Sequence, residues 1–388
     1  MGKNILFVDD EISILKSLKR SFFNLDYNIY LGNSGEEGLE ILAENDIDIV
    51  VSDVKMPEMD GLTFLKMVKE LYPSVDRIVL SGFVEINLVL KAIVNGVAFD
   101  YITKPWDNSV LFEKLDYIIL MRERVNNNDL VSSLNAIDTL PTLENVYFEF
   151  EDAILNNKSF EEIARIAEKD IAISSKIIQL VNSAFYSKIK IGSVEQAINI
   201  MGTLGLKSIL HDSSLSSISK LSLNQRKEIK RYNELTYKVN KLFIKLYETY
   251  KEEKIPDEYR TLGLTLYIGK VILVAFYWDR YDKIVKNMKS HQKFSFWEAE
   301  IESNYVDCTH IEIGAYFLSL WNFPLIHFQV IFNYMTPFTA HEELKEIIAL
   351  LTLSKKYVIE LSNESFEQIL RDNINKDDIK DSITKLME

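Results

Sequence analysis

The chain has 388 residues, of which 44 are basic and 58 acidic, giving a net charge of −14. That length exceeds what one hydrophobic core usually organises, and the 47% hydrophobic share excludes a largely disordered chain, so we expect two or more domains. The negative charge disfavours sequence-independent binding to nucleic acid, because it repels the phosphate backbone.

Short β-branched runs alternate with amphipathic helical stretches in residues 1–122. Strands are predicted at 5–8, 28–31, 48–51, 77–80 and 99–102, and helices near 11–23, 35–44, 61–71, 85–95 and 108–122. Ser34, with Glu37 three residues later, predicts a capping box at the start of the second helix. Because the strands are apolar enough to be buried on both faces, the alternation predicts a parallel, doubly wound α/β sheet.

Polar side chains follow four of these strands. Asp9 and Asp10 follow the first strand, Asp53 the third, Ser81 the fourth and Lys104 the fifth. In such a sheet the functional loops lie at the carboxyl ends of the strands, so these side chains are predicted to meet at one edge. Crowded carboxylates favour a hard divalent cation such as Mg²⁺, which together with the lysine would neutralise charge on a transferring phosphoryl group. The sequence therefore predicts a phosphoryl-accepting site with Asp53 as the nucleophile.

Four motifs, VDDE, SDVKMPEMDG, LSG and DYITKPW, follow one another in this order. Together they resemble the receiver domain of response regulators, over residues 1–122. The resemblance implies a CheY-like, flavodoxin-like fold, phosphorylation at Asp53 and Mg²⁺ as the cofactor. It also implies the roles of the site residues: Asp9, Asp10, Asp53 and the Lys55 carbonyl around the metal, Ser81 and Tyr101 as the switch pair, and Lys104, joined to Pro105 by a cis bond, as the phosphate contact.

The sequence changes character after the receiver-like region. Residues 123–138 are polar and rich in asparagine, which predicts a linker or an extension of the preceding helix. From 139 to 388 apolar residues recur at helical spacing, which predicts an all-α domain with a core at about 140–335 and C-terminal helices at 336–388. Its first helices are predicted at 144–155, 159–169, 173–182, 194–201, 206–218 and 225–250.

Several segments of the second half carry a further resemblance. They are DIAISSKIIQLVNSAFYS, SVEQAINIMGTLGLKSI, LGLTLYIGKVIL and HIEIGAYFLSLWNFP. These segments resemble the HDOD family, a helical relative of the HD phosphohydrolases. HD enzymes hold one or two metals with histidine and aspartate ligands, and the metals generate the attacking hydroxide.

The metal-ligand positions that the resemblance implies are largely substituted. Leu266-Tyr267 stands where a His-Asp pair would precede Ile-Gly-Lys, Leu235 replaces an upstream histidine, and Asn333-Tyr334 replaces a late histidine pair. Only His310 remains at a family-like position, and one histidine cannot hold a catalytic metal. His211-Asp212 is a His-Asp pair, but it lacks the Ile-Gly-Lys context and is predicted to be an exposed helix segment. The output domain is therefore expected not to be an enzyme.

The two resemblances together predict a two-component response regulator. A sensor histidine kinase or another phosphodonor would phosphorylate Asp53, and the HDOD output domain would bind a partner protein or ligand, with a homodimer as a further candidate. The alternative is a divergent HD phosphohydrolase acting on nucleotides or cyclic dinucleotides. A nucleotide-sensing or nucleic-acid-binding output is disfavoured by the charge balance.

The helix from Asn108 to Arg124 is the predicted route between the two halves. It has an apolar stripe (Val110, Leu111, Leu115, Ile118 and Ile119), borders Tyr101 and continues into the following segment. We expect it to transmit a shift from the switch residue as a rigid lever. In the competing interpretation the stripe only packs on the sheet and the asparagine-rich segment uncouples the halves.

The cellular compartment is predicted from cysteine content and hydropathy. Cys308 is the single cysteine, so an internal disulfide is excluded and a reducing compartment is indicated. Neither a secretory signal nor a run of about 18 uncharged apolar residues is found. We therefore expect a soluble cytoplasmic protein without a membrane partner.

Overall fold

The structure is a computed structural model. It describes residues 3–23, 25–82, 88–89, 92–93, 95–125, 127–184, 191–212, 221–290, 295–302, 308–335, 342–360, 366–368, 370 and 374–387. The chain divides into two compact units: the first contains Met1–Asp138 with the short segments Gln179–Ile189 and Ser319–Asn322, and the second contains the rest of the chain.

A five-stranded parallel sheet forms the centre of the first unit. Its strands are β1 (Asn4–Val8), β2 (Asn28–Gly32), β3 (Ile49–Asp53), β4 (Asp76–Ser81) and β5 (Asp100–Thr103), in the spatial order β2-β1-β3-β4-β5. The register pairs Asp53 with Leu80 and Ser81 with Thr103, so the carboxyl ends of neighbouring strands lie at the same edge. The predicted doubly wound α/β fold is confirmed, with the strand order of flavodoxin-like sheets.

Helices cover both faces of the sheet. They are α1 (Ile12–Ser21), α2 (Gly35–Glu44), α3 (Gly61–Leu71), α4 (Asn108–Val125) and α5 (Asn128–Asn135). Ile5 and Phe7 pack with Leu15 of α1 and Leu115 of α4 on one face. The intervening Leu6 is also fully buried, as a strand covered on both sides requires. The helix predicted near 85–95 falls largely outside the described residues.

The start of α2 differs in one detail from the predicted capping box. Ser34 Oγ accepts a hydrogen bond from the backbone N–H of Glu37 at 3.2 Å, as predicted. The Glu37 carboxylate instead accepts from the backbone N–H of Asn33 at 2.7 Å, one residue before the cap. The helix is therefore capped at its start, but the reciprocal bond is shifted by one residue.

Part of the asparagine-rich segment, predicted to be a linker or helix extension, forms the separate helix α5. The Asn127 side chain caps this helix by accepting from the Leu130 N–H at 2.9 Å. Near its end, Asn135 Nδ2 donates to Asp76 Oδ1 at 2.8 Å. Lys69 and Asp138 form an ion pair at 2.8 Å. These bonds attach the segment to the first unit, so its asparagines act as a cap and an anchor.

The regular secondary structure that the structure describes after residue 138 is helical. The helices are α6 (Glu144–Leu155), α7 (Phe160–Ala167), α8 (Ile171–Ala184), α9 (Val194–Asp212), α10 (Leu223–Lys251), α11 (Leu262–Thr265), α12 (Ile268–Phe276), α13 (Trp278–Ser290), α14 (Phe296–Glu302), α15 (His310–Leu320), α16 (Leu325–Asn333), α17 (Glu342–Glu360) and α18 (Lys376–Met387), with a 3₁₀ turn at Asp257–Tyr259. The predicted all-α architecture is confirmed.

Two local features explain how these helices begin and bend. Gly202, with φ of 62°, breaks α9 where the sequence predicts a gap between two helices. Ser222 and Gln225 form a complete capping box at the start of α10. Within the described ranges no single helix has the length and apolar composition to cross a membrane, although the bent pair Asp257–Thr265 and Ile268–Phe276 meets that measure when taken together.

Candidate functional site

The predicted acidic residues at the sheet edge meet around one lysine. Lys104 Nζ lies 2.6 Å from Asp9 Oδ2 and 2.5 Å from Asp53 Oδ1. The second oxygen of each carboxylate accepts from the backbone: Asp9 Oδ1 from the Glu11 N–H at 2.9 Å, and Asp53 Oδ2 from the Lys55 N–H at 3.1 Å. Both carboxylates are therefore oriented by bonds to both oxygens.

The loop after β3 folds back over the end of the strand, because of the Asp-Gly step in its sequence. The Gly61 N–H donates to the Val54 carbonyl at 2.9 Å. A Cβ atom at Gly61 would lie 1.6 Å from the Asp53 carbonyl oxygen, so no other residue fits this approach. Asp60 caps α3 by accepting from the Thr63 N–H at 2.8 Å. This turn fixes the backbone that carries Asp53.

The charges at this edge influence one another. Burial raises the pKa of Asp9 and of Asp53, and hydrogen bonds from Lys104 oppose that rise. Burial acts to lower the pKa of Lys104, but hydrogen bonds to Asp53 and Asp9 outweigh it and raise the pKa. We expect Lys104 to stay an ammonium and to keep the Asp9 and Asp53 carboxylates beside it ionised.

The two predicted switch residues lie next to each other. Ser81, at the end of β4, is fully buried, and Tyr101 on β5 is 5% exposed. The Tyr101 hydroxyl donates to the Ser81 carbonyl at 3.4 Å, a long hydrogen bond. The same carbonyl accepts from the Lys104 N–H at 2.8 Å, and the Lys104–Pro105 peptide bond is cis, as the resemblance implies.

A lysine of α4 joins this helix to the strand of the switch residue. Lys114 Nζ lies 2.5 Å from Asp100 Oδ2 and donates to the Tyr101 carbonyl at 3.2 Å. Asp100 Oδ1 also accepts from the Tyr101 N–H at 2.7 Å. The backbone around Tyr101 and the middle of α4 are therefore connected by charge-assisted hydrogen bonds.

The donor set at the edge suits Mg²⁺, which prefers carboxylate and carbonyl oxygens. Asp9 and Asp53 lie on either side of the Lys104 ammonium, while Asp10 is exposed. Among the described residues, no group of three or more His, Cys, Asp or Glu side chains is arranged to hold a metal ion. The residue types thus fit the cation, and the lysine occupies the space between the two buried carboxylates.

Three substituted HD positions and the retained His310 lie around a cavity in the helical part of the chain. Leu266, Tyr267, His310 and Tyr334 all line it. Leu235 and Asn333 are not among its lining residues. The sequence-predicted positions are therefore brought together in part.

A glycine contact between α12 and α15 helps to form this cavity. A Cβ atom at Gly269 would lie 1.8 Å from the His310 carbonyl oxygen, and Gly314 packs against the same site. Because the two helices approach this closely, Lys270 and His310 line the same cavity. The Gly of the Ile-Gly-Lys motif is thus explained by helix packing.

The surviving histidine is held by an acid that sequence reasoning missed. His310 donates through its backbone N–H to Glu300 Oε1 at 2.9 Å, and its Nδ1 lies 2.5 Å from Glu300 Oε2. Arg280 Nη2 lies 3.2 Å from Glu300 Oε1. Burial lowers the pKa of His310 despite the opposing effect of Glu300. No local sequence pattern points to Glu300 as the partner of His310. Lys270, in contrast, is part of the Ile-Gly-Lys motif and is visible in the sequence.

The remaining HD candidate, His211-Asp212, lies at the end of α9. Its side chains are outside the described residues, so the predicted exposed helix segment stays a prediction.

Comparison with family models identifies two domains. The model "HDOD domain" matches residues 140–337, and "Response regulator receiver domain" matches residues 5–116. These ranges contain the helical cavity and the sheet-edge cluster respectively.

Curated relatives match over part of the chain. Transcriptional regulatory protein ZraR of Escherichia coli (strain K12) is 39% identical over 107 residues, which are 27% of this chain and 23% of the relative. DNA-binding transcriptional regulator NtrC of Proteus hauseri is 31% identical over 149 residues, or 37% and 31% of the two chains. The chain thus spans less than a third of the length of these two relatives.

Solved structures also match over part of the chain. The signal receiver domain of an HD domain-containing protein from Pseudomonas fluorescens Pf-5 is 35% identical, with a TM-score of 0.28, and the match covers 29% of this chain and 90% of that one. A response regulator receiver domain protein from Clostridium thermocellum is 30% identical, with a TM-score of 0.30 and coverages of 31% and 96%.

Proposed function

The chain belongs to the HDOD family and carries a response regulator receiver domain, and we propose that phosphorylation of Asp53 controls a non-catalytic HDOD output domain that binds a partner protein or ligand. The observation that carries the proposal is the Lys104 ammonium lying within 2.6 Å of the Asp9 and Asp53 carboxylates. The phosphodonor is a sensor histidine kinase or a small acyl phosphate, and the protein acts in the cytoplasm.

Phosphoryl transfer uses the orientation of the Asp53 carboxylate. One Asp53 oxygen attacks the phosphorus atom of a phosphohistidine or acyl phosphate, a new oxygen–phosphorus bond forms, and the electron pair of the broken bond leaves with the donor. Lys104 neutralises charge on the phosphoryl oxygens. Asp9, Asp10, Asp53 and the Lys55 carbonyl would hold Mg²⁺, which supplies further positive charge beside the phosphoryl group.

The attached phosphoryl group is expected to act through Ser81 and Tyr101. The Ser81 hydroxyl makes a long hydrogen bond of 3.4 Å to the Gly82 carbonyl, and we expect it to turn and donate to a phosphoryl oxygen. Movement at Ser81 reaches the Tyr101 hydroxyl, which is bonded to the Ser81 carbonyl. Lys114 then carries the shift into α4, because it binds the Tyr101 carbonyl. The anchored helix α5 supports transmission by a rigid lever over uncoupling by a flexible linker.

The proposal that the output domain is non-catalytic rests on the residues at its cavity. Leu266, Tyr267 and Tyr334 supply no metal-binding nitrogen or carboxylate, and Nδ1 of His310 is already bound by Glu300. We expect the full chain to hold no stoichiometric transition metal and to hydrolyse no nucleotide or cyclic dinucleotide. Elemental analysis and hydrolysis assays test this. Bound metal together with activity that disappears in His310→Ala would contradict it.

The phosphorylation proposal is tested by labelling the full chain with acetyl phosphate and Mg²⁺. We expect one acyl phosphate per chain, labile to acid, base and hydroxylamine and located at Asp53 by peptide mapping, and no label after EDTA treatment. Asp53→Asn should abolish the label. Glu40→Gln is the matched control, because it changes an exposed acid of α2 and should label normally. Retained label in Asp53→Asn would exclude Asp53 as the acceptor.

A further inference from the structure

The helical cavity contains two positively charged side chains. It has room for about 90 Å³, several times the space that one water molecule needs. Lys270 enters it from α12 and Lys355 from α17. The rest of its wall is largely aromatic and aliphatic, including Tyr267, Phe296 and Tyr334. An acidic protein thus has a small cavity with positive charge in its wall.

The two lysines contact aromatic rings. The ammonium of Lys270 lies 4.4 Å from the ring centroid of Phe296 and 5.0 Å from that of Tyr267. The ammonium of Lys355 lies 5.7 Å from the Tyr267 ring and 5.6 Å from that of Tyr334. Within the described part of the chain, neither ammonium has a carboxylate within 4.0 Å. Ring faces attract cations, but they do not carry a compensating charge.

The nearest acid does not balance this charge. Glu300 is fully buried, and its two oxygens are engaged by His310 and Arg280. The Glu300 carboxylate is already paired with the positively charged guanidinium of Arg280. Lys270 and Lys355 also repel each other, and burial followed by this repulsion lowers the pKa of Lys270 to about 7. The cavity therefore lacks a negative group that would pair with both lysines.

Two tyrosine hydroxyls at the cavity add hydrogen-bond donors. The hydroxyl oxygens of Tyr267 and Tyr334 are inaccessible to solvent. That of Tyr267 has no hydrogen-bond partner within 3.5 Å among the residues described, whereas that of Tyr334 interacts with Thr352. Buried polar atoms without a partner are rare and costly, so the Tyr267 hydroxyl in particular calls for a group to bind. Two ammonium groups and two hydroxyls around one small space form a donor set for an oxyanion.

We propose that this cavity of the HDOD domain binds the phosphoryl group of a small phosphate or phosphomonoester, with Lys270, Lys355, Tyr267 and Tyr334 as its donors. The volume suits one phosphate group, so the remainder of a larger ligand lies outside the cavity. No bond is made or broken in this step. The inference rests on the proposed function, because it names a ligand class for the output domain.

Calorimetric titration of the full chain tests this inference. One titration uses inorganic phosphate and another uses adenosine monophosphate, at constant ionic strength and with EDTA to suppress cation-dependent binding at the receiver. We expect saturable binding of at least one probe. Binding of both at equal strength identifies free phosphate as sufficient, whereas tighter binding of the monophosphate identifies an ester as the source.

Variants connect the binding to the cavity. Lys270→Met and Lys355→Met should each weaken binding roughly tenfold or more, since each removes a charge-assisted hydrogen bond. Lys286→Met is the matched control, because Lys286 is exposed and paired with Asp282, and it should bind like the parent. Tyr267→Phe keeps the ring and should weaken binding several-fold while leaving the fold intact. This variant therefore still tests the cavity if a lysine variant fails to fold.

Two results would overturn the inference: no saturable binding of either probe, or binding that all three cavity variants leave unchanged. Asp53→Asn should bind the probes normally. If neither probe binds but Asp53 is labelled normally, only the proposed cavity ligand is refuted. Failed labelling with normal probe binding refutes only the receiver chemistry.

Discussion

The partly buried lysines at the sheet edge and at the helical cavity have opposite surroundings. Lys104 lies between two carboxylates, and Lys114 pairs with Asp100 at 2.5 Å. The ammonium of Lys270 lies near the rings of Phe296 and Tyr267 and, within the described residues, has no carboxylate within 4.0 Å. A buried charge pair is costly to break, whereas a buried charge without a partner is costly to keep. The protein's own carboxylates pair with the lysines of the sheet edge, whereas the proposed ligand pairs with the lysines of the cavity.

Lys104→Met is expected to have the largest effect on stability. It leaves the Asp9 and Asp53 carboxylates buried and facing each other, which should lower the free energy of unfolding of the receiver by about 2–3 kcal/mol after allowance for the partial exposure of the lysine. Hydrogen exchange of the amides of β1 and β3 measures this quantity. Lys158→Met, which removes an exposed lysine from an i,i+4 pair, should leave the exchange unchanged.

The pH dependence of the Lys104→Met protein gives a second readout. Burial already raises the pKa of Asp9 and Asp53 in the parent, and loss of the ammonium raises both further. When folding raises the pKa of an acid, the ionised acid destabilises the folded state at pH values above that pKa. This destabilisation disappears as the pH falls and the acid binds its proton. We therefore expect the stability gap between variant and parent to narrow from pH 7 to pH 5. A constant gap would exclude carboxylate repulsion as its cause.

Lys114→Met is expected to have the next largest effect. It removes one ion pair and one hydrogen bond to the Tyr101 carbonyl, so the receiver should lose about 1–2 kcal/mol. Labelling at Asp53 should be unchanged, because Lys114 does not touch the acceptor. The change that phosphorylation causes in α4 should become smaller, as measured by hydrogen exchange. An undiminished change would assign the coupling to another route.

Lys270→Met should change stability in the opposite direction. Removing a buried ammonium that has no carboxylate partner should raise the free energy of unfolding of the helical domain by about 1 kcal/mol. Exchange of the α12 amides measures it in phosphate-free buffer. If the variant is less stable than the parent, packing of the lysine stem outweighs the cost of its charge, and the comparison with Lys104 fails.

The gain from Lys270→Met should depend on pH. Burial lowers the folded-state pKa of Lys270 to about 7 from an ordinary 10.5, so the cost of the buried ammonium is complete below pH 7 and declines as pH rises from 7 to 10.5. The variant should therefore gain more at pH 6 than at pH 9. The other charges that act on Lys270 are those of Lys355, Glu300 and Arg231.

Local patterns were sufficient to predict the sheet and the cluster of Asp9, Asp53 and Lys104 at its edge. All five strands were predicted within two residues of their observed bounds, because strand periodicity and turn residues are encoded locally. Helix α5 was not predicted as a separate helix, since Asn127 and Asn135 resemble linker residues until their cap and anchor bonds are known. The composition of a short polar segment does not reveal its tertiary partners.

The lysine cavity could not be predicted from sequence. Tyr267, Lys270, His310, Tyr334 and Lys355 belong to different segments of the helical region, and only packing brings them together. The resemblance identified what the substituted positions lack, namely metal ligands. What replaces those ligands depends on contacts between distant helices, which no periodicity encodes.

Hydrogen exchange of the full chain, with and without beryllofluoride and Mg²⁺, tests the central claim most directly. Beryllofluoride mimics the phosphoryl group on Asp53, so we expect altered protection across 108–160, including α4 and α5, and no change in Asp53→Asn. Unchanged protection across these residues in the parent protein, together with an unchanged oligomeric state, would contradict control of the output domain by phosphorylation.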